Sequence, residues 1–511
     1  LLDVIPVFEG DARVELVFTV DHGSRFSGGL PARLAASGAR LIDWDTAVSE
    51  TFDLAVAASD NGDLHRVKAP LVLLPHGVGY QRFAAHEPGA VSGLRLSTLV
   101  RDDQVVPRTL VVGHPDQLEV LRTVEPRLVP RAFVAGDPCF DRIQLSSRRR
   151  DRYRAAFGAE DKQLVVICST WGRHSLFGRQ PGLPTRVVAA LETDRYRTAL
   201  VLHPNVWAQH GPLQVRTWLR PALDAGLVLV PPEEGWRAAI VAADLVLSDH
   251  GSLTCYAAST GVPVLVAEDG GPEVVPGSPA DTLRKLLPAL APDLPLDEQI
   301  RGRLENGPEV TGLAETMFAH HGQSITLLRS AIYHELRLPP PALPPRTRPV
   351  PVPDIGPVSP TVYAVRSEVS QVSDDRATVV LRRFPAVTYD ENQEHGRHLA
   401  VNDAEADPGW AERAAVVWRD HPCPSTAEAR RWAEATTGRL PAVRVVAASV
   451  LPGGVLVVFR DGSELAITGT ADAGLVGSAI HSCAVRGVPL GGLRRVDIGA
   501  GAASTTVRTV G

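Results

Sequence analysis

The sequence predicts two α/β domains in series, each with a parallel sheet and crossover helices, followed by a proline-rich linker and a small α+β module. Three observations predict this. Short β-branched runs alternate with helical stretches across the first two thirds of the chain, the pattern that specifies a parallel sheet. The segment PPPALPPRTRPVPVPDIGP interrupts the pattern at Pro339 to Pro357, where proline-dense chain is extended and acts as a spacer. Length agrees: 511 residues correspond to about three domains of ordinary size.

In the first domain, residues 1–137, strands are expected at Val14 to Val20, Ala39 to Ile42, Leu54 to Ala57, Leu71 to Leu74 and Thr109 to Val112, with a helix at Gly29 to Ser37. Leu1 to Phe8 reads as a helix. In the second domain, residues 138–337, a helix at Arg148 to Phe157 precedes strands at Leu164 to Cys168, Ala199 to Leu202, Leu227 to Leu229, Leu245 to Ser248 and Val262 to Val266. Helices at Ala280 to Leu287 and Gly312 to Leu336 close it, the latter with His320 and His321 in its interior. After the linker, 338–357, residues 358–511 form the α+β module, with strands at Ala377 to Leu381, Arg444 to Val450, Gly454 to Phe459 and Glu464 to Ile467 and a helix at Thr426 to Thr437. Asp461-Gly462 is a hairpin turn, and the small polar tail from Gly499 is expected to fray.

Composition narrows the function. With 44% hydrophobic residues and a formal net charge of −6, no global positive field exists to hold a nucleic acid. No apolar run reaches the roughly 18 residues of a membrane span. Five cysteines without a C-x-x-C pair imply neither a disulfide framework nor a zinc knuckle, so a cytoplasmic protein is expected. Phosphate-loop, G-x-S-x-G and H-E-x-x-H patterns do not occur in the sequence, which removes support for the corresponding hydrolases. His395, His398, His421 and His481 lack metal spacing and read as surface or packing residues.

Doubly wound sheets bind ligands beyond the carboxyl ends of their strands. The segments at those ends are His76-Gly77, Gly136-Asp137-Pro138, Ser169-Thr170-Trp171, His203-Pro204-Asn205 and Ser248-Asp249-His250-Gly251-Ser252. Gly251 and Ser252 open a helix and would present N–H groups and a hydroxyl to a diphosphate; alternatively Ser252 is an ordinary helix cap. His76 is the candidate general base, since imidazole titrates near neutral pH, with His22 as a second strand-end histidine. His203, and Arg173 with His174, could offset charge on a leaving group. Asp141 and Asp249 are expected to hold loops together.

Taken in order, LLPHGVGY (Leu73 to Tyr80), TLVVGHPDQLEVL (Thr109 to Leu121), VAGDPCFDRI (Val134 to Ile143), VICSTW (Val166 to Trp171), LHPN (Leu202 to Asn205) and ADLVLSDHGSLTCYAASTGVPVL (Ala243 to Leu265) resemble the CDP-glycerol glycerophosphotransferase family of teichoic acid polymerases and, more widely, GT-B nucleotide-sugar enzymes. The resemblance covers roughly residues 70 to 335. It implies a GT-B fold, two Rossmann-like domains facing across a cleft. It also implies metal-independent transfer, without a cofactor, from a CDP-alditol or nucleotide sugar to an acceptor hydroxyl. His76 and His203 would be catalytic, with Ser169, Thr170, Arg173, Asp249, His250, Gly251 and Ser252 around the donor. A lipid-linked polymer as acceptor would place the enzyme at the inner membrane face. Related epimerases carry an acidic residue on the helix after the SDHGS-like loop, where this chain has Cys255, Tyr256 and Ala257; Glu268 or Asp269 could supply an acid from the next loop. An epimerase and a non-catalytic binding protein of the same fold are the alternatives.

Overall fold

In a computed structural model, described for residues 1–21, 29–84, 87–308, 310–356, 359–388, 396–468, 472–501 and 503–510, the chain builds two parallel sheets and a closed barrel. The first domain contains β1 (Ala55–Ala57), β2 (Leu71–Leu73), the small hairpin β3 (Val100–Arg101) and β4 (Gln104–Val105), β5 (Thr109–Val112) and β6 (Ala132–Val134). Its main sheet has the order β1-β2-β5-β6 and is parallel throughout. β2 and β5 are buried along their whole length, as sheet strands covered on both faces must be. The strands expected at Val14 to Val20 and Ala39 to Ile42 do not form; a single bridge joins Phe18 to Leu41. Val14 to Val20 is only half-buried, so it lacks the packing that would hold an extended ladder. Leu2–Phe8 is a 3₁₀ helix. His22 lies outside the described residues.

The second domain contains β7 (Gln163–Ser169), β8 (Tyr196–Leu202), β9 (Val228–Leu229), β10 (Leu245–Ser248) and β11 (Val264–Val266), in the parallel order β11-β10-β7-β8-β9. The single helix expected at Gly312 to Leu336 is two, Leu313–Met317 and Ser324–Glu335. His320 and His321 sit in the break, His320 at φ 53°. Asp141 explains the restart, because its carboxylate accepts from the backbone N–H groups of Gly322 and Ser324 at 2.7 and 3.0 Å. An orphan helix start is thereby capped from another helix, and Asp141 is structural as expected. The helix Ser324–Glu335 then returns to the first domain, where Ile325, Leu328 and Ile332 pack with Val72, Leu74 and Val111. The proline-rich segment is extended but strapped down: Val350 is fully buried, accepts from the Tyr153 hydroxyl at 2.7 Å and donates to Ser146 Oγ at 2.9 Å.

The last module differs most from expectation. Its strands are β12 (Val362–Ser373), β13 (Arg376–Pro385), β14 (Arg397–Asn402), β15 (Val416–Cys423), β16 (Val445–Val450), β17 (Gly454–Phe459), β18 (Glu464–Thr468), β19 (Arg495–Ala500) and β20 (Ala503–Val510). Among the described residues these nine close into a barrel, larger than the small module predicted. Alternation decides inside from outside. Val416 and Trp418 of β15, Val445 and Ala447 of β16, and Val455 and Val457 of β17 join one cluster with the helix Ala473–Val485. Their alternates Val417, Val446 and Val458 face the helix Thr426–Arg439. Eight consecutive residues, Val476 to Cys483, are buried, so the helix is covered on every side and fills the lumen. Gly477 permits the fit, since a Cβ there would stand 2.9 Å from the Ala447 methyl. The tail expected to fray is β20, which pairs with β18 and β19 and closes the ring. The barrel docks on the second domain through Arg383, whose guanidinium donates to both Asp194 oxygens at 3.0 and 2.6 Å.

His398 on β14 and His481 on the lumen helix meet edge to face, with ring centroids 4.7 Å apart. Burial pushes both down, His398 to about 3 with His481 beside it, and His481 to about 4 with Arg444 adding like charge. Both are neutral at pH 7. A depressed histidine contributes stability that is present above the unfolded value of about 6.5 and lost as pH falls. Unfolding free energies from urea titrations between pH 7.5 and 4.5 should therefore drop with a slope approaching roughly 1.4 kcal/mol per pH unit for each histidine. His398→Gln should flatten that slope; an unchanged slope would contradict the assignment.

Candidate functional site

The carboxyl ends of β2, β7, β8 and β10 converge where the two domains meet. From the first domain comes the loop after β2, in which Gly77 and Gly79 hold φ of 62° and 80°, a region glycine enters without strain. Gln117 clamps this loop, donating to the Val78 carbonyl and accepting from the Gly113 N–H, both at 2.8 Å. His76 is thereby presented to the cleft, the exposed member of an otherwise covered turn. Opposite stands His203 at the end of β8, with ring centroids 6.4 Å apart, and Trp171 lies 6.4 Å beyond His203.

The His203 ring accepts the Asn205 N–H at Nδ1, 3.1 Å away, so its proton resides on Nε2. Burial, together with His76 and Arg82, lowers its pKa to about 3. Surrounding protein likewise lowers His76, opposed by a polar contact from the Ala58 backbone and reinforced by Arg82. Two imidazoles thus face each other in neutral form across the cleft at pH 7.

Asp249 organises the second domain's loops. Its buried carboxylate accepts from the backbone N–H groups of Thr170 at 2.9 Å, Leu176 at 2.9 Å and Gly251 at 3.0 Å, and from Ser169 Oγ at 3.2 Å. This is the orienting role expected of it. Desolvation raises its pKa, opposed by His250 and by these donors. Ser169 is buried and also accepts from the Phe177 N–H, so its hydroxyl serves the loop and is not directed at a ligand. His250 is turned inward, its ring against Gly270 and its Nε2 3.4 Å from Glu273. Thr170 packs over Gly251, whose added Cβ would meet it at 3.0 Å. Arg173 is exposed and donates from Nε to His174 at 2.9 Å. Glu268 pairs with Arg179 at 3.0 Å and Gln180, while Asp269 accepts the Gly271 N–H, so neither is a free acid for a ribose.

The turn at Ser252 is not open as the sequence reading supposed. Gln81 of the first domain donates from Nε2 to Ser252 Oγ at 2.9 Å, and its Oε1 accepts from Cys255 Sγ at 2.9 Å. The Val78 N–H approaches the same hydroxyl at 3.4 Å. Gly77 makes the approach possible, because a Cβ there would stand 2.5 Å from Ser252 Oγ. Ser252 is also not a cap for its own helix, which carries no side-chain cap bond. The same loop pairs with the segment after β11: Phe83 N–H donates to the Glu273 carbonyl at 2.8 Å and Val275 N–H to the Gln81 carbonyl at 2.9 Å. Arg82 follows, its guanidinium 4.8 Å over the Trp171 ring and 3.4 Å from Glu273.

Sequence reasoning missed Gln81, Arg82 and Glu273. It stopped the first loop at Tyr80; the polar pair immediately after was the available signal. Glu273 had none, since its role depends on Arg82, nearly two hundred positions earlier in the chain.

No protein-family description matches the chain, and no curated protein matches it. Similar solved structures include the wall teichoic acid polymerase TagF, at 13% identity and a TM-score of 0.43 over 58% of this chain and 77% of that one. Another is the UDP-GlcNAc 2-epimerase of Neisseria meningitidis bound to UDP-GlcNAc, at 13% identity and a TM-score of 0.41 over 66% of this chain and 95% of that one. S. aureus MnaA with UDP stands at 13% identity and a TM-score of 0.40, over 67% and 95%. Among the described residues no helix is long and apolar enough to cross a membrane.

Proposed function

We propose that the protein is a transferase that moves a glycosyl or glycerol-phosphate group from a nucleotide-diphosphate donor to an acceptor hydroxyl. The observation that carries this reading is the pair of neutral imidazoles, one from each domain, facing across the cleft at strand ends. Transfer to a hydroxyl needs a base that is unprotonated at working pH and a donor for the departing oxygen. His76 takes the first role: the ring nitrogen beside the Ala58 backbone keeps its proton, and the other accepts the acceptor's. His203 takes the second, its Nε2–H aimed into the cleft because Nδ1 is occupied by Asn205.

The donor's diphosphate belongs at the start of the helix Ser252–Ser259, where the Ser252 backbone N–H and the helix dipole favour negative charge, the Gly251 N–H being held by Asp249. Thr170 lies alongside. Gln81 must leave Ser252 Oγ for the donor to enter, so the conformation described is closed. Transfer is favoured over epimerisation by the carboxylates near the cleft: Asp60 is held by Arg95 at 3.0 Å, and Glu273 lies between two cationic or imidazole neighbours, Arg82 and His250, each at 3.4 Å. Neither forms the acid–base pair that proton shuffling at a sugar carbon requires.

The test is a panel of CDP-, UDP- and GDP-linked donors. A donor that binds only the folded state raises the melting temperature, by an amount that grows with ligand concentration, and incubation with a polyol or glycan acceptor should release the nucleotide. A shift without release from any donor would favour a binding protein and overturn the transferase reading.

A further inference from the structure

We infer that Arg82, a residue of the first domain, is the guanidinium that binds the pyrophosphate group of the ligand when it enters the cleft. The inference rests on the proposed nucleotide-diphosphate donor and adds to it the residue that meets the phosphate charge. Among the described residues, three other deeply placed arginines spend their donors on protein: Arg154 bonds Asp244 and three carbonyls, Arg329 three carbonyls, and Arg383 Asp194 and Asp472. Arg82 donates no hydrogen bond to any described residue. Its one ionic contact, to Glu273, is 3.4 Å, well beyond the roughly 2.7–2.9 Å of a charge-assisted bond. Its side chain is only 19% exposed, so the planar fork of donors is unused where water is scarce.

Position is built in. The Arg82 backbone is bridged to Val274, and the bonds from Phe83 and Val275 on either side hold it against the second domain. Trp171 supplies a ring face for the cation at 4.8 Å. Its charge also bears on both catalytic candidates, since Arg82 is among the groups that lower His76 and His203. Arg173 lacks this enclosure, being exposed with its Nε turned to His174. Glu273 then acts as a placeholder, a carboxylate loosely paired with the guanidinium until a phosphate displaces it.

The experiment is calorimetric binding of inorganic pyrophosphate, CDP, UDP and CMP to the full chain and to three variants. Arg82→Gln should weaken pyrophosphate and diphosphate nucleotides by about tenfold to a hundredfold, and CMP less. Arg82→Lys, which keeps the charge without the fork, should lie between. Glu273→Gln should tighten pyrophosphate by about threefold to tenfold, because the competing charge is removed. Loss of affinity in Glu273→Gln matching that in Arg82→Gln would mean the pair is merely structural and would overturn the inference. Unchanged binding in Arg82→Gln, with an unaltered melting temperature, would overturn it too, as would wild-type protein that binds none of the four. Donor turnover separates the two readings. Release of nucleotide that pyrophosphate does not inhibit would sink Arg82 and leave the transferase standing, whereas Arg82-dependent pyrophosphate binding without turnover would do the reverse.

Discussion

Asp249→Ala is expected to destabilise the protein by about 3–5 kcal/mol, because the buried Leu176 N–H would lose its acceptor at about 1–3 kcal/mol and the partly buried N–H groups of Thr170 and Gly251 theirs at about 1 kcal/mol each. Thr170, Leu176 and Gly251 belong to two loops that one carboxylate gathers. Asn would not rescue it: one oxygen would remain, and the amide NH₂ would confront the N–H of Leu176 or Gly251. Denaturant unfolding of the ligand-free protein is the decisive measurement. A residue that only touched a ligand would leave ligand-free stability within about 0.5 kcal/mol of wild type, and that result would remove Asp249 from its organising role.

His76→Ala should lower kcat by about a hundredfold to ten-thousandfold with little change in stability, since the ring is exposed to the cleft. The pH profile carries a second check. The base acts when deprotonated, and its pKa is lowered from the usual 6.5. Activity should therefore be level from pH 8 through neutrality and fall only as pH drops below about 6.5. An acidic limb at or above pH 6.5, or nucleotide release that survives His76→Ala unchanged, would contradict the assignment.

Legibility followed packing. β7 and β10 are continuous apolar runs because helices cover both faces of their sheet, and such runs show in any window of sequence. The barrel did not show, because β12 and β20 carry polar residues on their outer faces and owe their strand state to partners far along the chain. β13 pairs in parallel with β19, Arg376 opposite Arg495, and no local signal encodes that. The helix Ala473–Val485 was hidden for a related reason: buried on all sides, it lacks the amphipathic stripe by which a helix is read.

At the site the division is equally physical. His76, His203, Asp249 and Ser252 were legible because glycine and proline punctuate strand ends, and strand ends in parallel sheets are where ligands go. What Ser252 touches was not, since Gln81 reaches it from the other domain, nor was the isolation of Arg82 between Trp171 and Glu273. The order of residues by itself determined two parallel sheets and the loops that close them, through hydrophobic runs and turn chemistry that act over a few positions. Only the tertiary structure decided the barrel, the closure of Gln81 on Ser252 and the free donors of Arg82, because hydrogen bonds and charges across hundreds of residues depend on distance in space, which no short stretch of chain contains.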